Sequence, residues 1–331
     1  TTICRCGYNF NTTESSSSKK SSSNYQSAPS NSNNFTSSNT NVKKFFFQGK
    51  WLDLFAIYII NSLLTVVTLG VYYFWGKVKV KRFLYSNTEF DGDRFSFHGT
   101  GWELFRGGII ALLLFIGYSV AQFYAERHQQ ELWAIGLSVG LTILFFLFIP
   151  FAIVLSRKYY LSRTSYKGIR FSFRGKVFSF IWVLFKGSLL TLLTLGFYYP
   201  YMINQINRFF INNSYFGNKN FVYKGRGYDI FKKYILAFLL TILFYGSLIA
   251  IIGITIGFNL KDLKPDSSFP MDLAVPIIGG VAIIAIAMVL TWTWFGYWIL
   301  KYIWNNSHFL NSKFSCNFKF GSYLGLIIGN F

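Results

Sequence analysis

Four stretches of this chain, at 102–124, 132–155, 230–258 and 273–300, run apolar for more than twenty residues, and the second and fourth hold no charge. A helix that crosses a bilayer needs about 20 such residues. Backbone at that depth has no water to bond, so each stretch must satisfy its own N–H and C=O groups as a helix. Only 13% of the 331 residues are charged and 52% are hydrophobic, whereas a soluble domain carries roughly 25% charged residues. The chain is therefore read as a polytopic membrane protein.

Internal repetition organises the rest. Ser62-Leu63-Leu64-Thr65-Val66-Val67-Thr68-Leu69-Gly70-Val71-Tyr72-Tyr73 returns as Ser188-Leu189-Leu190-Thr191-Leu192-Leu193-Thr194-Leu195-Gly196-Phe197-Tyr198-Tyr199, displaced by 126 residues. Thr, Ser and Gly in the middle of an apolar segment weaken or interrupt a helix. A second recurring piece reads as a β-hairpin, with turn residues between Phe or Tyr at alternating positions. Its copies lie at 86–99, 162–175, 212–225 and 305–316, and the residues before Gly49 form a degenerate fifth. One unit is thus hairpin, interrupted segment, hairpin, span, span. Units are expected at 43–160 and 161–302. A third begins at 303 and stops inside its interrupted segment at Phe331, so the natural chain is expected to continue.

Two topologies compete. If every apolar segment spans, the two units are inverted, a plan known in transporters. If the interrupted segments enter and leave on one face, all hairpins share a side. Lys43, Lys44, Lys50, Lys77, Lys79, Lys81, Arg82, the basic runs at 157–176 and 208–226, and Lys301, Lys313 and Lys319 then lie together, and the opposite loops hold only Arg127, Lys261 and Lys264 beside Glu126, Glu131, Asp262, Asp266 and Asp272. The positive-inside rule favours this second scheme, with the hairpins and the N-terminal tail cytoplasmic. The net charge of +20 is accordingly read as a topology signal and a contact to anionic lipid, not to nucleic acid. Protein partners are unknown at this level. The tail, 1–42, is dominated by Ser, Asn and Thr and is expected to be disordered. Its Cys4 and Cys6 have C-x-C spacing with no second pair, short of the four ligands of a structural zinc site. Neither a metal nor another cofactor is expected.

Candidate site residues follow from the repeat. Thr65, Thr68 and Gly70, with Thr191, Thr194 and Gly196, mark interrupted segments at matching positions, a pointer to a substrate or ion path, though Thr and Gly also serve plain helix packing in membranes. Glu103 and Asp229 are equivalent and open a span each. They read as coupling acids or as caps favoured by the helix dipole. Arg82 and Arg208, each 12 residues after the repeated Gly, suit lipid phosphate or an ion pair. His98, His128 and His308 share no metal-ligand spacing, and the chain shows no nucleophile–base set, so an enzyme is not expected.

At the repeated Ser-Leu-Leu-Thr-x-x-Thr-Leu-Gly-x-Tyr-Tyr and the Asn-Thr/Ser hairpins that follow, the chain resembles the YjgN-like family of bacterial inner-membrane proteins, from Lys43 onward. The resemblance implies a multi-pass location in the bacterial inner membrane and no defined activity. The expected fold class is an all-α polytopic membrane protein with small cytoplasmic β-hairpins, built from tandem internal repeats. The expected function is transport or a channel-like path at the interrupted segments. The alternative is a non-transporting membrane scaffold or lipid-interacting protein.

Overall fold

The computed structural model describes residues 6–10, 42–127, 131–259 and 271–328. Four hairpins stand where the sequence places them: β3 (Thr88–Phe90) with β4 (Asp93–Phe97), β5 (Thr164–Tyr166) with β6 (Ile169–Phe173), β7 (Ser214–Phe216) with β8 (Lys219–Tyr223), and β9 (Ser307–Phe309) with β10 (Ser312–Cys316). Asp91-Gly92 and Lys167-Gly168 have positive φ at both turn residues, the two-residue geometry that matches strand twist.

These hairpins are not small and separate, as expected, but parts of one large sheet. β4 pairs β5, β6 pairs β7 and β8 pairs β9, while β2 (Val42–Phe47) pairs β3, and β1 (Cys6–Phe10) pairs both β2 and β10. The ten strands close into a barrel. The cause is the unpaired edge. A lone hairpin is marginal in water and exposes two rows of free N–H and C=O groups, and only closure removes both. Cys6–Phe10 was also expected to belong to a disordered tail. It is a strand, with Gly7 opposite both Lys44 and Ser315, because neighbours on two sides supply the ladder that its composition does not. The rest of the tail, with Cys4, lies outside the described residues, as do His128, the 260–270 link and the last three residues.

Strand alternation lines the barrel with rings. Phe45 faces Phe90, Phe95 faces Tyr166, Phe171 faces Phe216, and Phe221 faces Phe309 in register. Their centroids lie 4.4, 4.8, 4.9 and 4.8 Å apart. Adjacent pairs meet at 5.8 to 6.0 Å through Phe90–Tyr166, Tyr166–Phe216 and Phe216–Phe309. Such pairs contribute about 0.5–1.5 kcal/mol each beyond the area they bury.

Each hairpin is fed by a helix end: α2 (Tyr73–Ser86), α4 (Leu132–Ser162), α6 (Tyr199–Asn212) and α8 (Met271–Asn305). The hydroxyls of Thr88, Thr164, Ser214 and Ser307 donate to the carbonyls of Leu84, Tyr160, Phe210 and Ile303 at 2.7–2.8 Å. The amides of Asn87, Asn213 and Asn306 donate to Phe83, Phe209 and Tyr302. Helix ends leave four carbonyls without partners, so the Asn-Thr/Ser motif is a C-terminal cap that doubles as the first step of a strand.

The remaining helices are α1 (Trp51–Val67), α3 (Gly101–Arg127), α5 (Val177–Leu193), α7 (Gly227–Asn259) and α9 (Phe320–Ile328). Among the described residues, 101–127, 132–162, 227–250 and 278–305 are long and apolar enough to cross a membrane. α1 and α5 have 17 residues each, about 26 Å at 1.5 Å per residue, short of the roughly 30 Å core. A single barrel holds all the hairpins at one end of the helices. The chain between hairpins must therefore leave and come back, and α1–α2 and α5–α6 do so as helical hairpins. The six-span inverted plan does not describe this fold.

The repeated turn shows how they reverse. Gly70 N–H bonds to Thr65 O at 2.7 Å and Leu69 N–H to Val66 O at 3.1 Å; Gly196 and Leu195 repeat both bonds. This is a Schellman end with Leu69 (φ 52°) and Leu195 (φ 50°) in the left-handed position. Both leucines are almost fully exposed, 93% and 88%. Below the turn the two hairpins exchange sizes. Asn61 packs on Gly76 and donates to its carbonyl at 3.2 Å. At the positions 126 residues on, Gly187 packs on Met202. A Cβ on Gly76 would lie 3.0 Å from Asn61 Cγ, and one on Gly187 would lie 2.7 Å from Met202 Cγ. Gly76→Met is expected to cost about 1–3 kcal/mol by overpacking. Adding Asn61→Gly is expected to recover most of that loss, read as a double-mutant cycle of thermal unfolding in detergent.

Candidate functional site

The repeated turn residues are spent on the turn. Thr65 and Thr191 donate to Asn61 O and Gly187 O at 2.6 and 2.7 Å. Thr68 donates to Leu64 O at 2.7 Å and accepts from Tyr72 N–H at 2.9 Å, and Thr194 does the same with Leu190 and Tyr198 at 2.7 and 3.0 Å. Gly70 and Gly196 supply the left-handed backbone at φ 92° and 95°. These six residues sit at the two helical-hairpin tips, apart from the cavity between the helices described below.

The paired acids sit at helix starts and reach the neighbouring helix. Glu103 and Thr100 exchange backbone-to-side-chain bonds at 3.4 Å in a loose capping box. Glu103 also pairs with Arg163 at the end of α4. Asp229 accepts from Tyr302 Oη at 2.8 Å at the end of α8. Each acid thus ties the first turn of one long helix to the last turn of its antiparallel partner. Arg82 and Arg208 donate to Gly99 O at 3.3 Å and Gly225 O at 3.2 Å, and among the described residues neither makes an ion pair. Gly101 and Gly227 are needed nearby, because a Cβ there would come within 2.5 Å of Trp75 or Tyr201.

What the structure gathers lies elsewhere. Beneath the aromatic belt is a chamber of about 820 Å³ walled by α4, α6, α8 and the inner faces of the strands. Its polar lining is Ser156, Arg157, Tyr160, Asn207, Ser214 and Ser307, with Trp304 and the belt rings Phe171, Phe221 and Phe314 above. Among the described residues no carboxylate borders it. Lys81 closes in from α2, its ammonium 3.3 Å from the Tyr160 ring centre. Burial, then the Lys77 and Arg157 charges, push the Lys81 amine down to about 8. Arg157 and several hydroxyls facing one apolar-walled space, with Lys81 at its edge against the Tyr160 ring, form a setting for an anion, where low dielectric strengthens each contact.

The chamber was hidden in plain repetition. Counting back seven residues, two helical turns, from each capping hydroxyl at Thr88, Thr164, Ser214 and Ser307 gives Lys81, Arg157, Asn207 and Leu300. The first three gather at the chamber. The basic members of this set read in the sequence only as topology markers.

Residues 42–331 match the family described as bacterial protein of unknown function (DUF898). Inner membrane protein YjgN of Escherichia coli (strain K12) is 32% identical over 152 residues, which are 46% of this chain and 36% of that protein. Its counterpart in Salmonella typhimurium is 34% identical over 149 residues, 45% and 36% of the two chains. The matched stretch thus spans about a third of the curated relatives' length. No solved structure matches.

Arg157 is one source of the depressed Lys81 amine. In Arg157→Gln the Lys81 midpoint is therefore expected to move up from about 8 toward the ordinary lysine value. Titration of the methylated lysines by carbon NMR, with Lys81→Arg to assign the signal, reads the shift.

Proposed function

Because the chain belongs to the DUF898 family of bacterial proteins, whose description carries no activity, we propose a function from its own geometry: a channel-like or transporting inner-membrane protein that passes a small anion through the chamber under the barrel. The observation that carries this reading is Arg157 on a space bordered by hydroxyls and, among the described residues, by no carboxylate, with Lys81 at its edge against Tyr160. The path is accordingly assigned to the inner faces of α2, α4, α6 and α8, not to the Thr-Leu-Gly turns, whose hydroxyls have partners already. The barrel is placed at the cytoplasmic face, since the basic residues cluster at that end. The recurrence of the capping hydroxyl supports the reading, because Lys81, Arg157 and Asn207, each seven residues before one, come to the same chamber. No catalytic step is assigned.

A second reading, a non-transporting scaffold, draws support from the belt. Rings spaced 4.4–4.9 Å apart within pairs crowd the barrel mouth, and the tightly packed interior suits a platform better than a pore.

Proteoliposomes that contain the full chain, loaded with chloride, nitrate or phosphate and held at fixed potential, separate the two. Transport predicts anion efflux that falls at least about tenfold in Arg157→Gln and that weakens as pH rises through about 8, where Lys81 loses its proton. Lys81→Gln is expected to abolish that pH step. Efflux indistinguishable from empty liposomes for all three anions would leave the scaffold reading.

A further inference from the structure

A second cavity of about 950 Å³ lies outside the chamber, between α3 and α4 on one side and α5 on the other. Along most of its length the walls are aliphatic or aromatic, with Leu113, Phe148 and Phe151 among them. It extends along α4 from Leu141 to Lys158, 17 residues or about 25 Å of helix. That exceeds the roughly 15 Å depth of one leaflet, half of the hydrocarbon core. Only the first turns of α5, through Val177, Phe178 and Ile181, line it, and Leu113 and Leu144 on the opposite wall stay exposed, so the groove is open sideways toward the bilayer.

One end differs. Lys158, Arg174 and Lys176 converge where the groove meets the barrel. Among the described residues none of the three makes an ion pair. The Arg174 guanidinium lies 4.2 Å from the Tyr215 ring centre and gives one long hydrogen bond, 3.4 Å, to Gly217 O, which orients it and leaves its other N–H groups for a ligand. Lys176 caps α5 with extended backbone and no side-chain cap bond, so the first-turn N–H groups of that helix point to the same end. The equivalent place in the first unit is built differently. Gln48 stands where Arg174 does, and it is tied up with Glu89 and Arg94.

We propose that this groove holds one anionic phospholipid, its acyl chains along α4 and α5 and its phosphate against Lys158, Arg174 and Lys176. Charge complementarity selects the occupant. The walls suit hydrocarbon for a full leaflet's depth, and the mouth places three cations at the level where a headgroup phosphate lies. A soluble phosphate would find the cations and leave the apolar wall unused. A zwitterionic lipid would fill the wall and meet its own ammonium with three like charges.

Native mass spectrometry of the full chain, released from micelles that contain dioleoyl-phosphatidylglycerol or dioleoyl-phosphatidylcholine, tests this. The wild type is expected to retain one phosphatidylglycerol in preference to phosphatidylcholine. The combined Lys158→Gln, Arg174→Gln, Lys176→Gln variant is expected to lose that preference by at least about tenfold while still eluting as a folded species. Lys219→Gln with Lys313→Gln, which removes charge from other hairpins, is expected to keep it. Leu113→Trp, which fills the wall, is expected to reduce retention of both lipids. Equal retention of the two lipids by the wild type, or an unchanged preference in the triple variant, overturns the proposal. So does displacement of phosphatidylglycerol by inorganic phosphate alone, which would make the end a soluble-anion site. The readout involves neither Arg157 nor Lys81, so its failure leaves the chamber reading untouched.

Discussion

The structure depends on strand edges that cannot be left open. Each hairpin has only three residues in its first strand and five in its second, too few to persist alone. Their stability comes from neighbours contributed by distant parts of the chain, such as Phe97 against Thr164 or Tyr223 against Ser307. Once those pairings form, the entrance and exit of each helix pair are fixed at one end. The return of α1–α2 and α5–α6 is then obligatory, and the Schellman ends at Leu69 and Leu195 are what allow it.

The same short motif performs two tasks at each junction. The hydroxyl of Thr88, Thr164, Ser214 or Ser307 closes the helix, and its backbone opens the strand. This locks helix phase to strand position. A residue two turns back from the hydroxyl therefore comes to the chamber at three of the four junctions, which is why Lys81, Arg157 and Asn207 meet while Leu300 does not line it. Where Arg163 replaces the Asn of the motif, the capping amide is lost and the guanidinium reaches Glu103 instead. Local capping at that junction is exchanged for a tie between helices.

Much of this was legible in the residues. The hairpins, the interrupted segments and the long helices all follow from turn chemistry, alternation and uncharged length, and the run of basic loops already favoured the re-entrant plan. The barrel was not legible, because pairings such as Phe95 with Tyr166 join residues too far apart to leave a local pattern. β1 escaped for a related reason: Cys6–Phe10 is a strand by virtue of its two neighbours. Among candidate residues, the Thr-Leu-Gly segments were correctly seen as interruptions, but a polar residue at a break has two uses. Here the backbone takes the hydroxyl. The basic lining was visible as charge and unreadable as a site, since helix phase relative to a barrel is a property of the assembled ring.

Closure also sets a dimension. Strands in a sheet stand about 4.8 Å apart, so two strands advance the ring by roughly 10 Å before tilt, and tilted barrel strands spread further around the circumference. Helices pack at about 8–10 Å. The inner helices, one per hairpin, are therefore held apart so that only long side chains bridge them, as Lys81 does to Tyr160, and the space left between them is the chamber. A hydrogen-bonded ring does not widen by degrees, because any gap breaks a whole ladder. The barrel is thus a collar of fixed bore, and it holds the helix ends that it grips at fixed spacing while the opposite ends are joined only by turns and links.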